Sequence, residues 1–273
     1  MSEQFQQDFW NDEGGSRWVR SADRLDALMA PFTDALLEHA ALAEGERVVD
    51  VGCGAGDSTR AAARRIGPGR STGVDISAPL LALARRKSEL AGLEIDFVEA
   101  DAAGWTPSAP VDRVISRFGV MFFAQPAEAF ANLRSWLASE GRLIALAWRS
   151  AEENHWMSKP VELLTTPDER PETGPGIPGP HSLGDADHTR SMLSAAGFTS
   201  IELEPFERTM RLEGSVDEVA DFYLDWGPTA RYLDAAPADE VDARAEAVRE
   251  LVAARHDGDG LDLIGRIWIV RAR

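Results

Sequence analysis

Val48-Val49-Asp50-Val51-Gly52-Cys53-Gly54-Ala55-Gly56 is the stretch that decides the fold. A short β-branched strand runs directly into alternating glycines, and DSTRAAARRI, residues 57–66, follows with helical character. Glycine lets a backbone turn tightly and lets a ligand approach with no Cβ in the way. Strand, glycine turn and helix together open many nucleotide-binding folds, so the glycines alone leave the ligand open. The carboxylates around them narrow it. Asp50 stands just before the first glycine, and Asp57 sits where a dinucleotide fingerprint needs its third glycine. A pyrophosphate at that helix N-terminus would be repelled by both, whereas a positively charged ligand without phosphate would be attracted. Opposite unit charges about 4 Å apart are worth roughly 4 kcal/mol at an effective dielectric of about 20, and like charges cost the same.

Working outward, strands and helices alternate. STGVDI (71–76), LEIDFVEA (93–100), VDRVISR (111–117) and GRLIALAWR (141–149) have strand character, several of them as nearly continuous apolar runs. Helices are expected over 22–43, 57–66, 78–91 and 126–138, with Pro31 kinking or splitting the first. The pattern predicts an α/β, doubly wound, Rossmann-like, mainly parallel seven-stranded sheet with helices on both faces. Beyond Trp148 regularity loosens. PETGPGIPGPHS (171–182) is a Pro/Gly-rich loop, 186–196 a helix and 198–212 a long strand. Residues 215–257 form an acidic helical stretch broken at Gly227-Pro228 and Pro237, and 261–273 the closing strand. The expected plan is an N-terminal arm and helix over 1–44 that covers the cofactor site, a binding core over 45–150, and a partly helical cap plus the final strands over 151–273, in one domain overall. The arm carries Phe5, Phe9, Trp10 and Trp18.

The chain has 273 residues, 44% hydrophobic and 27% charged, with a formal net charge of −18. Such a charge repels phosphate-rich partners at long range, so neither nucleic acid nor an anionic membrane surface is an expected partner. One cysteine, Cys53, excludes an intrachain disulfide and a thiolate metal cluster. MSEQFQQDFWNDEGG lacks the basic-then-apolar order of a signal peptide, and no apolar run reaches the roughly 20 residues of a membrane span. A cytoplasmic protein, monomer or homodimer, is the expectation.

Taken together, VVDVGCGAG, GVDIS (73–77), EADAAGW (99–105) and DRVISRFGVMFF (112–123) resemble, in order and register, the class I S-adenosylmethionine (SAM)-dependent methyltransferases over roughly residues 45–150. FWNDEGGSRWV near the start is similar to a small-molecule branch that precedes its sheet with a Trp-rich arm. The resemblance implies SAM as cofactor and S-adenosyl-L-homocysteine (SAH) as product. It implies that Asp50 and the backbone of Gly52, Cys53 and Gly54 hold the methionine part, and that Asp75 takes both ribose hydroxyls. Ile76 would lie against the adenine face, Asp101 would accept from the adenine amino group, and Ala102 would supply a backbone N–H. Arg117 and Phe118 would face the methionine tail and sulfonium. A cation at a sulfonium is unfavourable, so Arg117 is expected to pair with the SAM carboxylate or an acidic side chain. The resemblance further implies an antiparallel hairpin, 199–211 with 262–272, at the end of the sheet.

Each assignment has a structural alternative. Asp75 suits a cap for the helix after it, Asp101 a turn. Trp10 and Trp18 either close over the cofactor or pack the arm onto the core. Met121, Phe122, Trp148 and Trp156 follow strand ends, where an acceptor sits, and either line its pocket or seed core. The histidines are 39, 155, 181, 188 and 256, with no metal-ligand spacing, so no metal is expected. His155 and His181 are the candidate general bases if the acceptor carries a proton of high pKa. The expected function is in-line methyl transfer to a small molecule, an apolar or aromatic metabolite of quinone-like kind. The alternatives are an NAD-dependent oxidoreductase and a non-catalytic SAM-binding protein.

Overall fold

A computed structural model describes residues 8–68, 70–170 and 172–273. Phe5, Gly69 and Pro171, the first residue of the Pro/Gly-rich stretch in the sequence, lie outside the described residues.

Seven strands form one sheet: β1 (Val48–Val51), β2 (Ser71–Asp75), β3 (Asp96–Glu99), β4 (Val111–Arg117), β5 (Leu137–Trp148), β6 (Glu202–Glu213) and β7 (Gly260–Ala272). Their spatial order is β3-β2-β1-β4-β5-β7-β6. β1 to β5 are parallel neighbours, and β7 runs antiparallel to both β5 and β6. The hairpin expected from 199–211 and 262–272 is therefore β6 with β7, pairing Glu202 with Arg271 through to Glu213 with Gly260. β1 is buried along its whole length and β4 nearly so, as expected of central strands covered on both faces, and neither shows the alternation of a half-exposed strand. The order reverses between β1 and β4, and the crevice beyond their carboxyl ends is where such sheets bind ligands.

Local chemistry sets the helices α1 (Glu13–Ala40), α2 (Asp57–Ile66), α3 (Ala78–Leu90), α4 (Pro126–Trp136), α5 (His155–Leu164), α6 (Ala186–Ala195), α7 (Val216–Asp225), α8 (Gly227–Asp234) and α9 (Val241–Ala253). Ser77 caps α3 by accepting from Leu80 N–H, with Pro79 in the first turn. Asp185 caps α6 by accepting from His188 N–H at 2.7 Å. Ser215 and Glu218 form a reciprocal capping box at α7.

Two expectations need correction. The first helix starts at Glu13 rather than Ala22 and runs unbroken through Pro31. The polar, glycine-bearing start hides it from a periodicity search. An interior proline costs about 3 kcal/mol in an isolated helix. Here Leu25, Leu28, Met29, Phe32, Leu36 and Leu37 are all buried, and that packing outweighs it. Second, residues 155–164 inside the loosely ordered stretch form α5, despite Pro160. α5 packs with α7, α8 and α9 into a helical cap, and α1 packs against α2, α3, β4, β5 and β6.

Phe32 is the pin between α1 and the sheet. It is fully buried, edge-on to Phe118 at 5.7 Å and to Trp148 at 5.3 Å. Phe32→Ala is expected to lower unfolding free energy by about 3–5 kcal/mol in urea titration. An effect under about 1 kcal/mol would mean that α1 is not part of the core.

Candidate functional site

Two joined hollows lie beyond β1 and β4. A cleft of about 170 Å³ is lined by Gly52, Gly54, Asp75, Ile76, Asp101, Ala102, Phe118 and Trp10, among others. A larger chamber of about 340 Å³ continues from the glycine loop toward the cap. Trp18, Arg117 and Phe122 stand on the shared boundary.

Gly52 turns the chain at φ 67°, and a Cβ there would meet Gly119 Cα at 2.6 Å. The chain can pass only as glycine. Gly54, at φ 53°, has open space where its Cβ would be, so its backbone faces the cleft bare. Asp75 ends β2 with Oδ2 accepting from Gly54 N–H at 2.8 Å and Oδ1 from Ser77 N–H at 2.9 Å. Each oxygen keeps a second lone pair for a donor in the cleft. The cap of α3 is Ser77, not Asp75. Burial raises the Asp75 carboxyl, against the backbone N–H groups of Ser77, Gly54 and Ile76 that draw it down. Asp101 accepts from Ala103 N–H at 2.8 Å in a local turn and still lines the cleft. Ala102 N–H donates to no acceptor among the described residues.

The N-terminal segment is fastened over this cleft. Asn11 Nδ2 donates to Ile76 O and Asn11 Oδ1 accepts from Ala78 N–H, both at 2.9 Å. Ser77 Oγ donates to Trp10 O at 2.7 Å. Trp10 thereby sits edge-on to Trp18 at 5.5 Å and to Phe122 at 5.9 Å. The tryptophans pack together and line the hollows, so the two alternatives stated for them are not exclusive.

Arg117 pairs with acidic side chains. It donates to Asp57 at 2.9 Å, to Thr33 at 2.6 Å and to Asp26 at 3.4 Å. Phe118 takes φ 68°, a left-handed conformation for a bulky residue, and stacks face to face on Trp148 at 4.1 Å.

Three assigned residues do not line either hollow. Asp50 is fully buried behind the glycine loop, with Oδ2 accepting from Ser58 and Thr59 hydroxyls, each at 2.7 Å. The first turn of α2 supplies these donors, so Asp50 joins the glycine loop to that helix, while its Oδ1 is buried with no hydrogen-bond partner among the described residues. Trp156 lies behind the chamber wall, stacked on Trp226 at 5.8 Å and edge-on to Trp148 at 5.4 Å. His155 is exposed at the start of α5. Adjacent helical positions point about 100° apart, and Trp156 takes the buried face.

The chamber gathers Met121, Phe122, Trp148, Cys53 and His181 with residues that sequence reasoning missed. Ala22, Leu25, Asp26 and Met29 come from α1, Glu172–Pro180 from the Pro/Gly-rich loop, and Trp226, Arg231 and Tyr232 from the cap. Trp226 before Gly227-Pro228 was a visible signal, an aromatic at a chain break. Cys53 is buried, and burial pushes its thiol up, so it is no thiolate. Among the described residues no group of histidine, cysteine and carboxylates could hold a metal, and no helix is long and apolar enough to cross a membrane.

The family profile described as "Methyltransferase domain" matches residues 48–141. A demethylmenaquinone methyltransferase of Thermus thermophilus is 38% identical over 102 residues, 37% of this chain and 46% of that protein. A trans-aconitate 2-methyltransferase of Streptomyces avermitilis is 38% identical over 104 residues, 37% of this chain and 38% of that protein. The matched stretch thus spans less than half the length of these curated relatives. Among solved structures, the magnesium protoporphyrin IX methyltransferase of Synechocystis PCC 6803 with bound SAH aligns with TM-score 0.56 at 16% identity, covering 99% of this chain and 98% of that one. The [4+2]-cyclase SpnF aligns with TM-score 0.52 at 20% identity, covering 89% and 80%. At those identities the likeness is one of fold.

Burial pushes the Asp50 carboxyl from 3.8 up to about 6, against the Ser58 and Thr59 hydroxyls and the charge of Arg117. The folded protein therefore holds this proton more tightly than the unfolded chain does. Between those two values stability falls as pH rises, and above about pH 6 the full cost, roughly 3 kcal/mol, is carried. Asp50→Asn keeps an acceptor for both hydroxyls and removes the charge. The variant is expected to be more stable than wild type at pH 7.5 by 1–3 kcal/mol (about that order), with the difference vanishing toward pH 4. Urea titrations at both pH values test this. Equal stabilities at pH 7.5 would contradict it.

Proposed function

We propose that this chain, whose 48–141 core belongs to the class I SAM-dependent methyltransferase family, transfers a methyl group from SAM to a small apolar or aromatic molecule. The observation that carries the proposal is the charge and donor pattern of the cleft. Asp75 offers two carboxylate oxygens at the end of β2 where a ribose diol fits, Asp101 offers an acceptor, and Ala102 offers a spare N–H beside it. The cation that lines the cleft, Arg117, is already paired with Asp57 and Asp26. A phosphate would meet carboxylates and no free positive charge, which disfavours a dinucleotide. A ligand with an ammonium, a sulfonium and a sugar diol suits these residues.

In this reading Asp75 orients the ribose, Ile76 covers one face of the adenine, and Asp101 with the Ala102 N–H reads its edge. Gly52 and Gly54 let the backbone approach the amino-acid tail. SAM supplies an activated methyl group, and the protein's part is to align an acceptor and exclude water. Trp10, Trp18, Phe118 and Phe122 wall the boundary between cleft and chamber, which serves both ends.

The relatives act on an apolar quinone precursor and on a tricarboxylate. The chamber favours the first kind of acceptor. Its wall is Leu25, Met29, Met121, Trp148, Ile177 and Trp226, with Arg117 already paired and Arg231 exposed at the edge. Three carboxylates in that space would meet, among the described residues, a single cation without an acidic partner, Arg231 at the edge, and would leave at least two charges uncompensated.

Calorimetric titration with SAH and with NADH tests the cofactor, and release of label from methyl-labelled SAM onto naphthol- and quinol-type acceptors tests the transfer. SAH is expected to bind and NADH not to. Asp75→Ala is expected to weaken SAH by ten- to hundred-fold, the order of a lost charge-assisted hydrogen-bond pair (about 1.5–3 kcal/mol). NADH binding without SAH binding, or unchanged SAH affinity in Asp75→Ala, would reject the assignment.

A further inference from the structure

We propose that His181 is the general base of this transfer and that the acceptor is therefore a hydroxyl on an apolar or aromatic ring. The inference rests on the reading above that the chamber holds the acceptor.

His181 sits on the chamber wall and is 7% exposed. Its Nδ1 lies 2.7 Å from the carbonyl oxygen of Arg149. A carbonyl only accepts, so Nδ1 carries the hydrogen, and the neutral ring presents its lone pair at Nε2. Among the described residues nothing bonds to Nε2. That is the tautomer and the vacancy a proton acceptor needs.

The ring is held from several sides. Arg149 N–H donates to Arg266 O at 3.0 Å, and its guanidinium lies 4.6 Å over the Trp268 ring and pairs with Glu153. Trp268 Nε1 in turn donates to Gly184 O at 2.8 Å, and Gly184 N–H closes a turn onto His181 O at 3.1 Å. On the other flank, Gly179 N–H and Ser182 Oγ both donate to Met121 O, at 3.0 and 2.7 Å. Met121 belongs to the single-turn helix, Gly119–Phe122, that borders the cofactor cleft. The histidine loop is thus tied directly to the turn against which the methyl donor would lie.

Burial holds the imidazole below its ordinary value, against the Arg149 carbonyl and the charge of Glu152, so it is neutral at physiological pH. Asp26, Arg117, Glu172 and Arg231 are the other charged groups that line the chamber. The remaining histidines stand elsewhere. His39 bonds to Ala35 O within α1, His256 to Gly214 O, and His155 and His188 are exposed.

A buried neutral base narrows the acceptor. A carboxylate or a tertiary amine has no proton to give up, and a primary or secondary amine attacks through its free lone pair and sheds its proton afterwards, so a base beside any of them adds little to the attack. A hydroxyl must lose its proton as it attacks. As the acceptor oxygen bonds to the methyl carbon, the O–H electron pair stays on oxygen and the proton passes to Nε2. The carbon–sulfur bond breaks with its pair going to sulfur, and the imidazolium afterwards returns the proton to solvent.

The test uses the full chain with labelled SAM and two acceptors, 2-naphthol, which arrives protonated near neutral pH, and 4-nitrophenol at a pH where it is already ionised in solution. His181→Asn keeps a donor toward Arg149 O but lacks Nε2. It is expected to bind SAH within about two-fold of wild type. Its kcat with 2-naphthol is expected to fall by 100-fold or more, in the range that general-base loss produces, while its kcat with 4-nitrophenolate, which has no proton to lose, stays within ten-fold of wild type. His181→Gln serves as a second variant should the first fail to bind SAH. No 2-naphthol turnover by wild type, 2-naphthol turnover within ten-fold of wild type in a variant, or an equal loss with both acceptors would overturn the proposal. Failure of the wild-type protein to bind SAH at all would instead remove the reading beneath it.

Discussion

The backbones that follow β1 and β4 touch with no side chain between them, and the two hollows depend on that contact. A Cβ on Gly52 would stand 2.6 Å from Gly119 Cα, and one on Gly119 would stand 2.7 Å from Gly52 Cα and 2.5 Å from Val51 O. Each position demands glycine because the other chain is there. Ser116 fastens the contact, donating to Val51 O at 2.8 Å while accepting from Gly119 and Val120 N–H at 3.1 and 3.2 Å. The loop of the cofactor cleft and the turn that opens the chamber therefore form one rigid piece. The cost appears at Phe118, which the turn forces into a left-handed conformation worth about 1–2 kcal/mol for a residue with a side chain. Its stack on Trp148 and its edge contact with Phe32 offset it.

A second constraint explains why α1 belongs to the site. Arg60, Lys87 and Arg117 meet Asp23, Asp26 and Asp57 in one network that joins α1 to α2, α3 and β4. Cations and carboxylates balance, so the network adds little net field to the hollows. Asp75 and Asp101 are then the uncompensated charges of the cleft. Removing one partner of such a half-buried set leaves its counter-charge exposed to a poor solvent, a cost of several kcal/mol when burial is complete. α1 is thereby held at one height over the chamber, where Ala22, Leu25 and Met29 form part of the wall.

The central sheet was legible because its strands obey local rules. β1 is a short β-branched run closed by a glycine, α2 stops at Gly67, and α3 carries its own cap in Ser77. Asp75, Ile76, Asp101 and Ala102, to which the family resemblance pointed, sit at strand ends that the topology brings to one edge, and all four line the cleft. Asp50 shows what a position in the sequence leaves open. Its place along β1 says nothing of the two hydroxyls in the next helix that its Oδ2 engages. The start of α1 was invisible because Gly14 and Gly15 break the apolar period, and tertiary packing overrides weak propensity there. His155 and Trp156 are neighbours in sequence, yet the helix that carries them puts one in solvent and the other in the core.

The chamber is built largely from the part of the chain that lies outside the family match. The family match ends at residue 141, and Trp148, Glu172–His181, Trp226, Arg231 and Tyr232 all come after it. Two relatives with equal identity to this chain carry the names of chemically opposite substrates, so the shared core does not select between them. Nor does the sheet fix the reaction, since a cyclase shares it. What distinguishes this chain is a largely apolar chamber in which His181 is anchored on a loop tied to the Gly119–Phe122 turn. Such a lining penalises a polyanion, because unpaired charge in an apolar enclosure has no compensating solvent. On the proposed function, the cap and the Pro/Gly-rich loop, rather than the glycine motif, would select the acceptor.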